Sequence, residues 1–420
     1  MLQNTRFLLS ESLNLNKHGV NIPLRRRKNL KFSVLIPTRN RLEYLKYAIA
    51  SVLQQDESDF EIIIFDNHSE EDIKSYIQFL NDNRIKYFRT DSFVSVTENW
   101  NNALDKSSGD WVVMLGDDDC LMKGYFSVIN KLLSQFPDPD FIYTNGFLFA
   151  YPLVLPEYPR GLARTFGNAG FVTNTDKPYW LTKKQAFKLV EQTFNFKYVF
   201  SFNMQFALIQ RSFIEKLKKD NKFFHSPYPD YYAMTTLMLF GDRILSCPYP
   251  LVAVGISPKS FGFYYFNNKE SKGLDFLNNE NEKTLSPNLK KIILAGTDMN
   301  NSWLLSMEKI KANFHECTLS INYKRYRMIQ IVASLRKFLI APQEFQTNSK
   351  NFWEKLSLSE KLLYGTPWLL LNFFPFIFRR KYVGLLSRLV KSHATYPTLH
   401  IDQDFANIQE FFEKIDPLHL

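Results

Sequence analysis

From residue 31 onward, short apolar runs alternate with segments whose apolar residues recur every three or four positions. An apolar run of four to eight residues suits a strand buried on both faces, and a 3.6-residue period marks a helix with one buried stripe. Residues 32–37 (FSVLIP) therefore predict a strand, and Leu42, Leu45, Ile49, Val52 and Leu53 a helix. Residues 61–66 (EIIIFD) predict a second strand, Ile73, Ile77 and Leu80 a second helix, and residues 85–90 a third strand. Val96, Trp100, Ala103 and Leu104 mark a helix expected to end near Gly109, a candidate C-cap, before residues 111–115 (WVVML) as a fourth strand. A helix through Val128, Ile129, Leu132, Leu133 and Phe136, then a strand at 141–150, close this first series. Strand–helix alternation of this kind predicts an α/β fold with a mostly parallel, Rossmann-like sheet flanked by helices.

The alternation then stops. Residues 151–179 are rich in Pro, Gly, Asn and Tyr and read as long loops on a rigid scaffold, with helices resuming near Lys183 and Tyr231. A charged, Asn-rich stretch after about Asn267 suggests a boundary, and 290–420 looks predominantly helical without repeats. The expected organisation is a basic extension at 1–30, an α/β domain at 31–266 with halves at 31–135 and 136–266, and a helical region at 267–420.

Composition narrows the class. With 45% hydrophobic residues, 39 Phe and 21 Tyr, the chain is no disordered polymer. A formal net charge of +10 favours anionic partners without choosing among them. Cys120, Cys247 and Cys317 are far apart and form no CxxC pair, which fits a reducing, cytoplasmic location better than a disulfide framework. Residues 1–30 lack a continuous apolar core, so no secretory leader is expected, and the longest apolar run, residues 367–378, is too short to span a bilayer.

In open parallel sheets, ligands bind beyond the carboxyl ends of the strands. Asp66 and Asn67 close the second predicted strand, and Asp117, Asp118 and Asp119 follow the fourth, so both groups should face one rim. Three consecutive carboxylates repel one another, which exposure, hydrogen bonds or a bound cation must offset. An exposed loop capping the next helix is the bland alternative. Mg2+ or Mn2+ prefers such oxygens, fills its remaining sites with substrate phosphates and waters, and can neutralise a departing diphosphate.

At these residues the chain resembles the family 2 glycosyltransferases of GT-A fold, in FSVLIPTRNRLEYLKYAIASVLQQ, EIIIFDNHSEED and GDWVVMLGDDDCL. The resemblance covers residues 31–135 well, 141–266 weakly and the remainder not at all. It implies inverting transfer of a sugar from a nucleoside diphosphate donor. Pro37, Thr38, Arg39, Asn40, Asp66 and Asn67 match the positions that hold the nucleoside, and Asn99 joins them as a donor-side candidate. Asp117, Asp118 and Asp119 match the DXD-type motif that contacts ribose and coordinates a metal, with Asp118 and Asp119 the preferred ligands. Arg39 stands where relatives often carry an aromatic residue, and Asn67 with His68 replaces the commoner Asp-Gly, so UDP is only the first choice of nucleotide.

An inverting displacement also needs a carboxylate near the attacking hydroxyl. Asp230 in HSPYPDYYAM is the candidate base, stiffened by Pro227 and Pro229 and flanked by aromatic rings suited to a sugar face; Asp242 and Glu191 are reserves, and His225 reads as a structural neighbour. The bland alternative is that Asp230 N-caps the helix after it. The expected partners are a nucleotide-sugar donor and a saccharide or lipid-linked saccharide acceptor. Nucleic acid is not expected, because no recognition motif accompanies the charge. Residues 367–378 (PWLLLNFFPFIF) with Arg379, Arg380 and Lys381, and the basic run Arg25, Arg26, Arg27 and Lys28, suggest peripheral contact with the inner face of the cell membrane; a core helix under the α/β domain is the preferred reading of the former. A sugar-phosphate nucleotidyltransferase is disfavoured because PTRNRLEYL has no glycine loop, and a non-catalytic scaffold because all three carboxylates are present.

Overall fold

The structure is a computed structural model that describes residues 31–418, apart from 168, 226–227, 268–285, 341–351 and 392–397. The basic extension at 1–30, the segment just after Asn267 and Pro227 lie outside the described residues.

The four predicted strand–helix units form where the apolar pattern puts them: β1 Phe32–Thr38, α1 Leu42–Leu53, β2 Phe60–Asp66, α2 Ile73–Leu80, β3 Ile85–Arg89, α3 Val96–Asp105 and β4 Trp111–Met114. Every residue of β2 is buried, as a strand covered by helices on both faces requires. Then come β5 Cys120–Leu121, α4 Tyr125–Gln135, β6 Phe141–Ala150, β7 Leu162–Thr165, β8 Tyr179–Leu181, β9 Ala207–Gln210 and β10 Ile244–Ile256. The sheet runs β3-β2-β1-β4-β9-β6-β10-β5, with β7 on β6 and β8 on β10. Pairings among β1 to β4 and between β6 and β10 are parallel. Those of β9 with β4 and β6 are antiparallel, so the sheet is mixed.

Two details differ from the sequence reading. Helix α3 stops at Asp105, capped by Lys106, so Gly109 is not its C-cap. Gly109 is needed for a close approach to β1, where a Cβ would lie 2.6 Å from Ser33 Oγ and 2.7 Å from the Lys31 carbonyl oxygen. β10 was hidden because Pro248 and Pro250 interrupt its run; the register shifts across Cys247, Pro250 and Val252, where proline supplies no N–H to the ladder.

Residues 31–420 form one compact unit. The helix Asp298–Asn313 packs against the helix Pro229–Phe240, and its Trp303 ring meets Phe196, Phe202 and Tyr231. The chain then returns to the sheet: Ile401 N–H donates to the Ala163 carbonyl, and Phe405, Ile408, Phe411 and Phe412 share a core with Phe147, Phe149 and Tyr151. Residues 367–378 are not a buried core helix. Leu369, Leu370, Phe373 and Phe374 are 57%, 58%, 87% and 55% exposed, because the chain turns at Pro375 and buries only a stripe through Trp368, Val383 and Leu386. Among the described residues, no helix is long and apolar enough to cross a membrane.

Candidate active site

Strand register assembles the site. Thr38 pairs with Asp66, so β1 and β2 end level. β4 pairs with β1 only as far as Leu35 opposite Met114, which lets residues 115–119 continue over the rim. The result is a shallow cleft lined by Pro37, Thr38, Arg39, Asn67, Asn99 and Asp117, with Arg41, Val96 and Trp100 completing the wall. Sequence-predicted candidates from three strand ends and α3 therefore share one concavity.

All three acidic residues are buried. Asp117 accepts a hydrogen bond from Thr38 Oγ1 at 2.7 Å and pairs with Arg41 Nη1 at 2.6 Å. Asp118 pairs with Arg41 Nη2 at 2.5 Å and accepts from Ser257 Oγ at 2.7 Å. One guanidinium thus bridges two carboxylates, the counter-charge that their burial demands. Burial works against the charge of Arg41, but Asp117 and Asp118 hold it protonated. Burial also pushes Asp117 upward despite Arg41, and burial with the Asp118 charge pushes Asp119 upward.

Asp119 is turned elsewhere. Its oxygens accept from the backbone N–H of Gly116 at 2.9 Å and of Gly255 at 2.7 Å, and from Gln205 Nε2. It ties the acidic loop to β10, and the approach is so close that a Cβ on Gly255 would lie 1.8 Å from the Asp118 carbonyl oxygen. No group of three His, Cys, Asp or Glu residues among the described ones is arranged to hold a metal ion. Asp117 and Asp118 share the Arg41 guanidinium as counter-charge, so a divalent ion held by these two carboxylates and substrate phosphates would have to displace it.

The neighbouring rim is braced from within. Asp66 accepts from Ser69 N–H at 2.9 Å, from Tyr87 Oη at 2.7 Å and from Arg89 Nη1 at 3.3 Å. Both ends of the Asn67 amide engage the Val94 backbone at 2.9 Å, so Asn67 pins the strap beneath Phe93. Asn40, at φ 53°, accepts from Glu70 N–H and ties the β1 loop to the β2 loop. The Arg39 guanidinium lies 3.5 Å from the Phe93 ring centroid, a cation–π platform at the cleft wall. Arg39 Nε, Arg41 Nε and Asn99 Oδ1 are buried without hydrogen-bond partners. Unsatisfied polar atoms in a concavity mark where a ligand's polar groups are accommodated.

Asp230 lies in the first turn of the helix Pro229–Phe240, whose N-cap is Tyr228, so Asp230 is not the cap residue. The Tyr228 and Phe261 rings, 5.2 Å apart between centroids, set the start of this helix beside the segment that follows β10. Burial raises the Asp230 carboxyl to about 7 against a hydrogen bond from Tyr231 N–H. Asp242 precedes β10 at the opposite sheet edge and pairs with Lys183, and Glu191 is exposed. His225 packs on Tyr232, and burial lowers it to about 4. Arg41, Gln205, Gly255, Ser257 and Phe93 were not among the predicted residues.

With this geometry described, comparison with known proteins is direct. Residues 33–214 match the model of Glycosyl transferase family 2. The chain is 34% identical over 149 residues to a Campylobacter jejuni GalNAc(5)-diNAcBac-PP-undecaprenol beta-1,3-glucosyltransferase, covering 35% of this chain and 45% of that one. It is 33% identical over 141 residues to an Escherichia coli K12 glycosyl transferase assigned to colanic acid biosynthesis, covering 32% of this chain and 50% of the relative. The chain thus spans about half the length of these relatives. A crystal structure of S. aureus TarS 1–349 in complex with UDP-GlcNAc aligns over 86% of this chain and 90% of that one, with TM-score 0.44 and 12% identity. Residues 33–214 are thus similar to glycosyltransferase family 2, and the fold that carries them is a mixed α/β sheet flanked by helices.

Proposed function

We propose that the chain is an inverting glycosyltransferase that moves a sugar from a nucleoside diphosphate donor, UDP-sugar as first choice, to a hydroxyl of a saccharide acceptor. The observation that carries this reading is the rim cleft in which Thr38, Arg41, Asp117 and Asp118 are bound together within the family match. Thr38, Arg39 and Asn99 would orient the nucleotide, while Asp66, Asn67 and Asn40 brace the loops that carry them. Asp117 and Asp118 would hold a divalent ion, Mn2+ or Mg2+, which when bound supplies Lewis-acid compensation of the diphosphate charge.

Asp230 acts as general base. It takes the proton of the acceptor hydroxyl as that oxygen bonds to the anomeric carbon and the bond to the diphosphate breaks on the opposite face, inverting the centre. A carboxyl held near neutrality is matched to that task. The Campylobacter relative's name includes PP-undecaprenol, which supports a lipid-linked saccharide acceptor and work at the cytoplasmic face of a membrane. The domain organisation that follows is a donor half at 31–135, an acceptor half at 136–266 and helices beyond.

The test is calorimetric titration with UDP, GDP, CDP and dTDP, with and without Mn2+, on wild type and on Asp117→Ala with Asp118→Ala. Metal-dependent binding of one nucleotide, lost in the double variant, is expected. If no nucleotide binds under any condition, the transferase reading fails and a non-catalytic scaffold replaces it.

A further inference from the structure

We propose that residues 361–391 form a docking surface for an anionic lipid bilayer. The segment is a helical hairpin: Tyr382 Oη donates to the Leu363 carbonyl at 3.2 Å, and Arg379 Nη1 to Asn372 Oδ1 at 3.0 Å, so the two arms run side by side with the turn at Pro375. Its inner stripe, through Trp368, Val383 and Leu386, is buried, and the arm Phe376–Leu389 packs on the helix Tyr323–Ile340.

The outer surface is the reverse of what water selects. Phe373 at the tip is 87% exposed, and Leu369, Leu370, Phe374, Phe376 and Ile377 are each about half exposed or more. Isolated exposed apolar residues are ordinary, but a contiguous bulky patch marks an interaction surface.

Charge identifies the occupant. Residues 361–391 contain six Lys or Arg and no Asp or Glu. The acidic residue just before them, Glu360, is held by Arg327 at 2.7 Å. Arg380, Lys381 and Arg388 are exposed beside the apolar patch. Protein interfaces are depleted in lysine and need carboxylates to satisfy such cations, whereas an apolar tip flanked by unopposed cations matches acyl chains beneath anionic headgroups. No described helix can span the bilayer, so the hairpin lies in the interface.

The assignment stands apart from the donor chemistry and is tested without it. Full-length protein is floated with vesicles of phosphatidylglycerol and phosphatidylcholine, or of phosphatidylcholine alone. Flotation with the anionic vesicles only, weakened by salt, is expected. Phe373→Ser with Phe374→Ser and Phe376→Ser should weaken it by about a hundredfold, with an unchanged far-ultraviolet dichroism spectrum and urea midpoint as the check on folding. If that variant does not fold, Arg380→Gln with Lys381→Gln carries the test and should weaken binding about tenfold. The proposal is overturned if wild type ignores anionic vesicles, if folded variants bind equally well, or if sedimentation finds a dimer that the serine variant dissociates while vesicles stay unbound, which would make a second copy the occupant.

Discussion

Asp230 shows how burial turns an ordinary carboxyl into a candidate base. Its pKa rises to about 7 from an ordinary value of 3.8. An acid whose folded value exceeds its unfolded value keeps its proton longer in the native state, so the group's cost to stability is absent below 3.8 and fully present above about 7. In the native state the basic form accumulates as pH passes through about 7, and kcat/KM should climb through that range to a plateau above it. Asp230→Asn should leave donor binding intact, cut transfer by about 10²- to 10⁴-fold and flatten that part of the stability profile. Unchanged turnover would remove Asp230 from the mechanism. At this scale the candidates were legible where a polar residue closes an apolar strand, as with Asp66 and Asp117. Their partners were not: Ser257 bonds Arg41 across 216 positions and Gln205 bonds Asp119 across 86, and no local pattern announces either.

Among the elements, strands buried on both faces were the easiest to read, because an unbroken run such as EIIIFD admits few alternatives. β9 escaped notice because four residues carry too little pattern, and only ladders on both edges make Ala207–Gln210 a strand. The helix Ile408–Lys414 lies in the stretch read only as predominantly helical, and nothing in that reading marked it as a core element. Phe411 is fully buried, 5.2 Å from Phe147 and 5.5 Å from Phe149 between ring centroids. Phe411→Ala should therefore destabilise the α/β unit by about 3–5 kcal/mol, read as a lower urea midpoint at constant slope. A loss below about 0.5 kcal/mol, the range of a surface substitution, would mean that the terminal helix is only loosely seated.

Across the whole molecule, the C-terminal helical region and the α/β domain share a core through Trp303, Phe196, Phe202 and Tyr231. Urea unfolding followed by tryptophan fluorescence and far-ultraviolet dichroism should then give one coincident transition, with Trp111 on the sheet and Trp303 on the helices reporting together. Two separated transitions would divide the chain near the Asn-rich stretch instead. The sequence alone determined the alternation of strands and helices and the rim on which Asp66 and the acidic loop sit, because burial period and strand ends are local properties of a chain, while the donor-side candidates came from the resemblance to a family. Tertiary structure decided that Arg41 bridges Asp117 and Asp118, that Asp119 ties the loop to β10, that the last helix completes the sheet's core and that the apolar run at 367–378 faces outward. Each of these depends on which distant surfaces meet, and apolar residues bury against whichever surface reaches them, a choice that no local period encodes.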